Sequence, residues 1–384
     1  MDLKLLFSPV DESYYTSVIS PSSFVRSIRI YADKMPDYKG AHLAIIGAHE
    51  TRGAGHHEGK WNSADEVRKK LYSLKKGTGT YRIVDLGNLN PGIDVDESYV
   101  RLSEVCRILL ENNVLPIVIG GSHDMDFGQY TAYEGMEKLI SLLNIDAWLD
   151  LEDGHQVPAD RSHLHKILLH EPNYLVSYTH LAYQTYLIDP ASISVLEKLY
   201  FEAFRIGQMR MNLQEMEPAI RQADMLSFDI GAIRSADAPG SDRAQPFGLS
   251  GEDACQIAWY AGMNEKLSSV GIYGYNPDYD DAHRKTAAVI ATMIWYFIEG
   301  YYHRKNEQSF KTNDFMKYTV AMPVEPETLT FYKSRVTDRW WMEISVPTRS
   351  VYARKSMVPC SYNDYMTATK GELPERYITA LSRL

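Results

Sequence analysis

The sequence predicts an α/β protein in which helices cover both faces of a mostly parallel central sheet, followed by a smaller C-terminal extension. Three observations predict it. Short apolar runs bounded by turn residues alternate with stretches of helical periodicity through residues 1–305, the pattern of strands buried on both faces. With 384 residues, 45% of them hydrophobic and 23% charged, the chain can bury a large core. Beyond about residue 305 the alternation stops, and residues 306–384 read as a separate extension that packs on the core or on a neighbouring subunit.

In chain order, the apolar runs at 42–47, 81–85, 116–120, 139–145, 225–230 and 268–275 are the predicted strands. Residues 99–110, 254–263 and 286–302 carry apolar side chains at helical spacing and are the predicted helices. The extension is expected to open with a polar linker and continue with short β-like runs at 316–322, 329–332 and 340–346. There, Trp340, Trp341 and Tyr332 are expected to pack it onto the core or a second subunit.

Composition excludes several functional classes. Forty basic against fifty acidic residues give a net charge of −10, with no basic cluster interleaved with aromatics, so nucleic acid is not an expected partner. The longest apolar stretch, residues 287–298, is too short to span a bilayer and reads as a buried helix, so no membrane is expected. The first ten residues carry Asp2 and Lys4 and do not read as a secretory signal. Cys106, Cys255 and Cys360 are an odd set at spacings that fit neither a disulfide framework nor a zinc knuckle. A reducing, cytoplasmic setting is the expectation.

Three segments carry the chemistry, and each follows a predicted strand. They are Gly120-Gly121-Ser122-His123-Asp124, Asn144-Ile145-Asp146-Ala147-Trp148-Leu149-Asp150, and the run from Ser227-Phe228-Asp229-Ile230-Gly231 to Pro239-Gly240. In parallel sheets ligands bind at the carboxyl ends of strands, where these acidic and histidine side chains fall.

The three segments resemble, in order and spacing, the metal motifs of the ureohydrolase superfamily of arginases, agmatinases and formimidoylglutamases. The first is similar to G-G-D-H-S with its Asp and Ser exchanged, the second to D-A-H-x-D, and the third to S-x-D-x-D followed by a P-G turn. Supporting similarity runs from about residue 44 to 302. Asp85-Leu86-Gly87-Asn88, Tyr183-Gln184-Thr185-Tyr186, Leu199-Tyr200-Phe201 and Gly251-Glu252-Asp253-Ala254-Cys255 look most like the formimidoylglutamase-like branch found in Bacteroidetes-type bacteria. The resemblance implies the three-layer αβα arginase-like fold, a trimeric or hexameric homo-oligomer, and a pair of Mn²⁺ ions.

It also shows where this chain departs from the pattern. The residues matching one ion's ligands are His123, Asp146, Asp150 and Asp229, all present. The other ion's own ligands fall at Trp148 and Gly231, and an indole offers no lone pair to a divalent ion. At most one ion, Mn²⁺ first among candidates, or none is therefore expected. A glutamate that grips the guanidinium in arginase-like members falls at Gly274, so nothing there holds a planar cation bidentately, and neither arginase nor agmatinase activity is expected. Glu152, Asp153, His155 and His165 read as solvated loop residues, and His56 and His57 as surface residues of a glycine-rich loop resembling the family's mobile substrate-side loop. His163 lies near the family's proton-shuttling histidine and is the acid/base candidate. Trp148 is expected to fill the vacated second site.

Two functions fit these residues. One is a weakly active or non-enzymatic member of the fold with a binding or scaffolding role toward a protein partner. The other is a single-metal hydrolase of formimino or amidino C–N bonds, acting on a small amidine such as formimidoylglutamate.

Overall fold

The computed structural model describes residues 3–18, 20–55, 61–154, 156–307, 314–323, 325–346 and 354–382. The strands of the larger sheet are β1 (Phe7–Ser8), β2 (Arg29–Ile30), β3 (Leu43–Ala48), β4 (Ile83–Leu89), β5 (Leu115–Ile119), β6 (Ile140–Ile145), β7 (Leu175–Tyr183), β8 (Glu202–Arg205), β9 (Met225–Asp229) and β10 (Ser269–Tyr273). Their order is β1-β4-β3-β5-β10-β9-β6-β7-β8, with β2 also on β4. Only β1 on β4 is antiparallel; the other pairings of this sheet are parallel.

Both faces of the sheet are covered, because successive side chains of a strand point to opposite sides. On β3, Leu43 and Ile45 join the core under the Gly251–Met263 and Lys285–Tyr302 helices, while Ala44 and Ile46 join the core under the Val95–Glu111 helix. Local signals fix these helices. Asp94 accepts from the Glu97 N–H at the start of one, and Ser250 and Asp253 form a reciprocal cap at the start of another.

The sequence missed β1, β2, β7 and β8. The first two are two-residue edge strands, and β7 interrupts its apolar run with Ser177, Thr179 and His180, whose burial only the fold reveals. The Ser63–Leu71 helix was also missed, because its charged run hides a fully buried Arg68 that pairs with Asp85 on β4 at 2.9 Å.

The second sheet is four-stranded and antiparallel, β11 (Phe315–Ala321), β12 (Thr328–Ser334), β13 (Trp340–Val346) and β14 (Arg354–Cys360), followed by helices Tyr362–Thr369 and Glu375–Ser382. The polar linker expected before β11 lies largely outside the described residues. Leu329, Phe331, Met342 and Tyr377 belong to a core of its own. The unit meets the rest of the chain through buried Arg221, which donates to the Trp340 carbonyl at 3.0 Å and lies 4.3 Å over the Trp341 ring, and through Arg339, 3.2 Å from Glu217. Tyr332 donates to Glu343 of the same sheet at 2.9 Å. Residues 217–221 precede β9, so this contact lies near the amino ends of the strands, away from the motif segments at their carboxyl ends. Among the described residues no helix is long and apolar enough to cross a membrane.

Candidate metal centre

Four strands that are neighbours in the sheet, β5, β10, β9 and β6, bring the motif segments together. His123 follows β5, Asp146 follows β6, Asp229 ends β9 and Gly274 follows β10. Local backbone chemistry then aims the carboxylates. The Trp148 N–H donates to Asp146 Oδ1 at 3.1 Å and the Gly231 N–H to Asp229 Oδ1 at 2.6 Å. Each is an Asp clasping the amide two residues on, the turn this side chain favours, and each leaves Oδ2 directed at His123. Asp150 sits at φ +50, an uncommon conformation for a residue with a side chain.

His123 Nδ1 lies 3.2 Å from Asp146 Oδ2, 3.6 Å from Asp150 Oδ2 and 3.6 Å from Asp229 Oδ2. The ring's other nitrogen is 3.0 Å from the Ser227 hydroxyl, which donates to Asp126 Oδ2 at 3.0 Å. Asp126 Oδ1 is in turn 2.9 Å from His163 Nδ1, which turns His163 Nε2 toward Asp150 Oδ2 at 3.4 Å. One buried carboxylate thus orients both imidazoles. His123, Asp146, Asp150 and His163 offer donor atoms that all lie within 4.8 Å of one another. Those four atoms, His123 Nδ1, Asp146 Oδ2, Asp150 Oδ2 and His163 Nε2, are buried without a hydrogen-bond partner. Unpaired buried polar atoms are costly and rare; four converging on one point make a donor set that fits a divalent ion.

Without an ion, protons and an arginine balance this charge. Burial disfavours the charged form of His123, yet Asp146, Asp150 and the charges of Asp229 and Asp126 hold its pKa well above the usual value. His163 is likewise opposed by burial and carried up to about 9, chiefly by the charge of Asp126. Burial and the neighbouring Asp146 push Asp229 up to about 7, and burial and Asp150 raise Asp146. Asp150 goes the other way: burial opposes ionisation, but the charge of Arg243 takes it well below the usual carboxylate range.

Arg243 is the site residue that the sequence did not suggest. Its Nη2 donates to Asp150 Oδ1 at 2.8 Å, and its guanidinium carbon lies 4.1 Å from the centre of the Trp148 ring. A Cβ on Gly231 would stand 2.7 Å from Asp229 Oδ1, 3.6 Å from Trp148 Cζ3 and 3.7 Å from Arg243 Cβ. The space beside Gly231 is therefore bordered by the Asp229 carboxylate, the Trp148 indole and the stem of Arg243, and Trp148 stays only half-buried there. Gly274 at φ +75 faces Asp229: a Cβ there would stand 2.3 Å from Asp229 Oδ2, so a side chain requires that carboxylate to move. The available signal was Arg243's position just past the Pro239-Gly240 turn; Ser227 lay inside a motif segment, and Asp126, two residues past the first segment, was missed as well.

The other candidates fall elsewhere. Glu152 and Asp153 are exposed, and His165 is 4.0 Å from Asp153 on the surface side. His56, His57 and His155 lie outside the described residues. Asp124, which stands where the motif's other polar residue is exchanged, bonds the Tyr99 hydroxyl at 2.5 Å and packs under Gly53, so it anchors the loop after β3.

Comparison with known proteins identifies relatives of this chain. A formimidoylglutamase of a Geobacillus species (strain WCH70) is 25% identical over 260 residues, 65% of this chain and 79% of that protein. That of Staphylococcus haemolyticus is 24% identical over 67% of this chain and 85% of its own. Among solved structures, Bacillus subtilis formimidoylglutamase superposes with a TM-score of 0.66 at 15% identity, covering 75% of this chain and 95% of that one. A Trypanosoma cruzi formiminoglutamase solved with Mn²⁺ gives 0.63 at 17% identity, covering 71% and 97%. These structures share the fold. The arginase family profile matches residues 41–299, which hold β3 to β10 and all three motif segments, and the chain belongs to the arginase family.

Proposed function

We propose that this arginase-family protein is formimidoylglutamase-like with a centre for one divalent ion, and that it hydrolyses C–N bonds weakly or not at all, serving as a metal-dependent binding or scaffolding protein. The observation that carries the reading is Arg243, fixed on Asp150 and stacked on Trp148 beside Gly231. The chain's own cation faces the carboxylates that a second ion would share. His123, Asp146, Asp150 and Asp229 would hold the one ion, with Mn²⁺ the first candidate.

When bound, such an ion supplies Lewis-acid polarisation and lowers the pKa of water. The protein's part is what this chain has altered. Trp148 and Arg243 narrow the approach, and Gly274 offers no carboxylate to an amidinium. If the lost second ion and the lost carboxylate each remove a few kcal/mol of transition-state stabilisation, the rate falls by roughly 10⁴-fold or more. The binding or scaffolding role would belong to the surface, C-terminal extension included, in a self-associating chain.

A second reading, a single-ion hydrolase of formimino C–N bonds, is favoured by the unpaired donor atoms of His123, Asp146, Asp150 and His163, which a site kept only for packing has no reason to leave unpaired. Formimidoylglutamate is its substrate of choice, since its formimino group depends least on the carboxylate missing at Gly274. The test is turnover of arginine, agmatine and formimidoylglutamate by Mn²⁺-treated full-length protein. No urea from the first two and at most traces of product from the third are expected. Turnover of formimidoylglutamate near one per second, abolished by His123→Ala, would overturn the first reading in favour of the second.

A further inference from the structure

Resting on the one-ion reading, we propose that His163 is a direct ligand of that ion rather than a proton carrier beside it, so that the centre presents two imidazoles and favours a borderline ion such as Zn²⁺ or Co²⁺ over Mg²⁺. The distances carry this. Donor atoms about 2.1 Å from one ion stand roughly 3 to 4 Å apart when they are adjacent around it. His123 Nδ1 to Asp146 Oδ2 is 3.2 Å, His123 Nδ1 to Asp150 Oδ2 is 3.6 Å, and His163 Nε2 to Asp150 Oδ2 is 3.4 Å. The third spacing matches the first two, and the donor atoms of His123, Asp146, Asp150 and His163 all lie within 4.8 Å of one another.

It also lies beyond the usual hydrogen-bond range, and His163 Nε2 has no hydrogen-bond partner although His163 is only 1% exposed. Its Nδ1 is already engaged by Asp126 Oδ1 at 2.9 Å. A ligating histidine characteristically has its second nitrogen held by a carboxylate, which fixes the ring and raises its basicity. A proton carrier needs a nitrogen open to substrate or water; both nitrogens of His163 face protein groups. Asp126 reaches His123 through Ser227 as well, so one outer carboxylate sets both rings for one ion. Two imidazoles with carboxylates suit Zn²⁺ and Co²⁺, whereas Mg²⁺ keeps to oxygen donors.

The experiment uses the full-length chain loaded with one equivalent of Zn²⁺. X-ray absorption should count two imidazoles on the ion, and this measurement needs no variant. In calorimetric titrations His163→Gln should weaken Zn²⁺ binding by about 100-fold or more, and Asp126→Asn by about 10- to 100-fold, the range for outer-shell changes. One imidazole on the ion, or an unchanged affinity in folded His163→Gln, would overturn the proposal while leaving a one-ion centre standing. Failure of the unaltered protein to take up any of Mn²⁺, Zn²⁺ or Co²⁺ would overturn both.

Discussion

Two buried arginines in this chain are held in opposite ways. Arg68, with no exposed side-chain surface, meets Asp85 through Nε and Nη2 at 2.9 Å each, the Gly87 carbonyl at 2.8 Å, and Asp65 and Asn88 through Nη1. Its guanidinium is saturated, and it ties the Ser63–Leu71 helix to β4. Arg243 bonds Asp150 through Nη2 alone, leaves Nη1 buried and unpartnered, and rests one face on a half-buried indole. Burying a charge is expensive unless it is paired and hydrogen-bonded. Arg68 meets that condition as a structural clamp. Arg243 meets it in part, with Nη1 left unpartnered.

The largest effect should come from breaking the saturated clamp. Arg68→Ala strands the Asp85 carboxylate in the sheet and should cost about 3–5 kcal/mol, the range for a buried pair losing one partner. Urea unfolding measures it, and a loss under about 1 kcal/mol would show that the clamp does not differ from a surface pair.

Arg243→Ala should cost less, about 1–3 kcal/mol in metal-free protein, because His123 and His163 also face Asp150. The same change should tighten Mn²⁺ binding, since a competing cation leaves the carboxylates. Calorimetry reads both signs of the effect; weaker Mn²⁺ binding would recast Arg243 as support for the ion rather than its rival.

Trp148→Ala should cost about 1–2 kcal/mol, below the range for a fully buried aromatic, since the half-buried ring loses mainly its contact with Arg243. Trp148→His alone should not raise the ion count above one, because Gly231 still offers no ligand; elemental analysis showing two ions would break the account of the second site.

The smallest effect concerns pH and lies away from the site. Burial, followed by the charge of Arg82, lowers the pKa of His42 from its ordinary value. The unfolded chain therefore takes up this proton at higher pH than the folded one, and stability falls as pH drops through about 6.5. His42→Gln should shallow that slope slightly in unfolding curves between pH 7 and 5. An unchanged slope would assign the acid sensitivity to other groups.

The sequence by itself determined the layered α/β architecture, because strands buried on both faces and helices with one apolar stripe are written in local periodicity. It also identified His123, Asp146, Asp150 and Asp229 as strand-end polar residues, along with the absence of ligands at Trp148 and Gly231, since motif order and spacing are properties of the chain. The tertiary structure decided the rest. His163 read from sequence as an acid/base candidate, and its place among the donors depends on Asp126, which turns its ring from another element. Arg243 stands 93 residues from Asp150, and only the packing of the loop after β9 onto the loop after β6 joins them. β7 and the Ser63–Leu71 helix escaped for the same reason: polar residues buried against distant partners leave no periodic trace. A side chain's type is local, but the partner that makes its burial affordable is not.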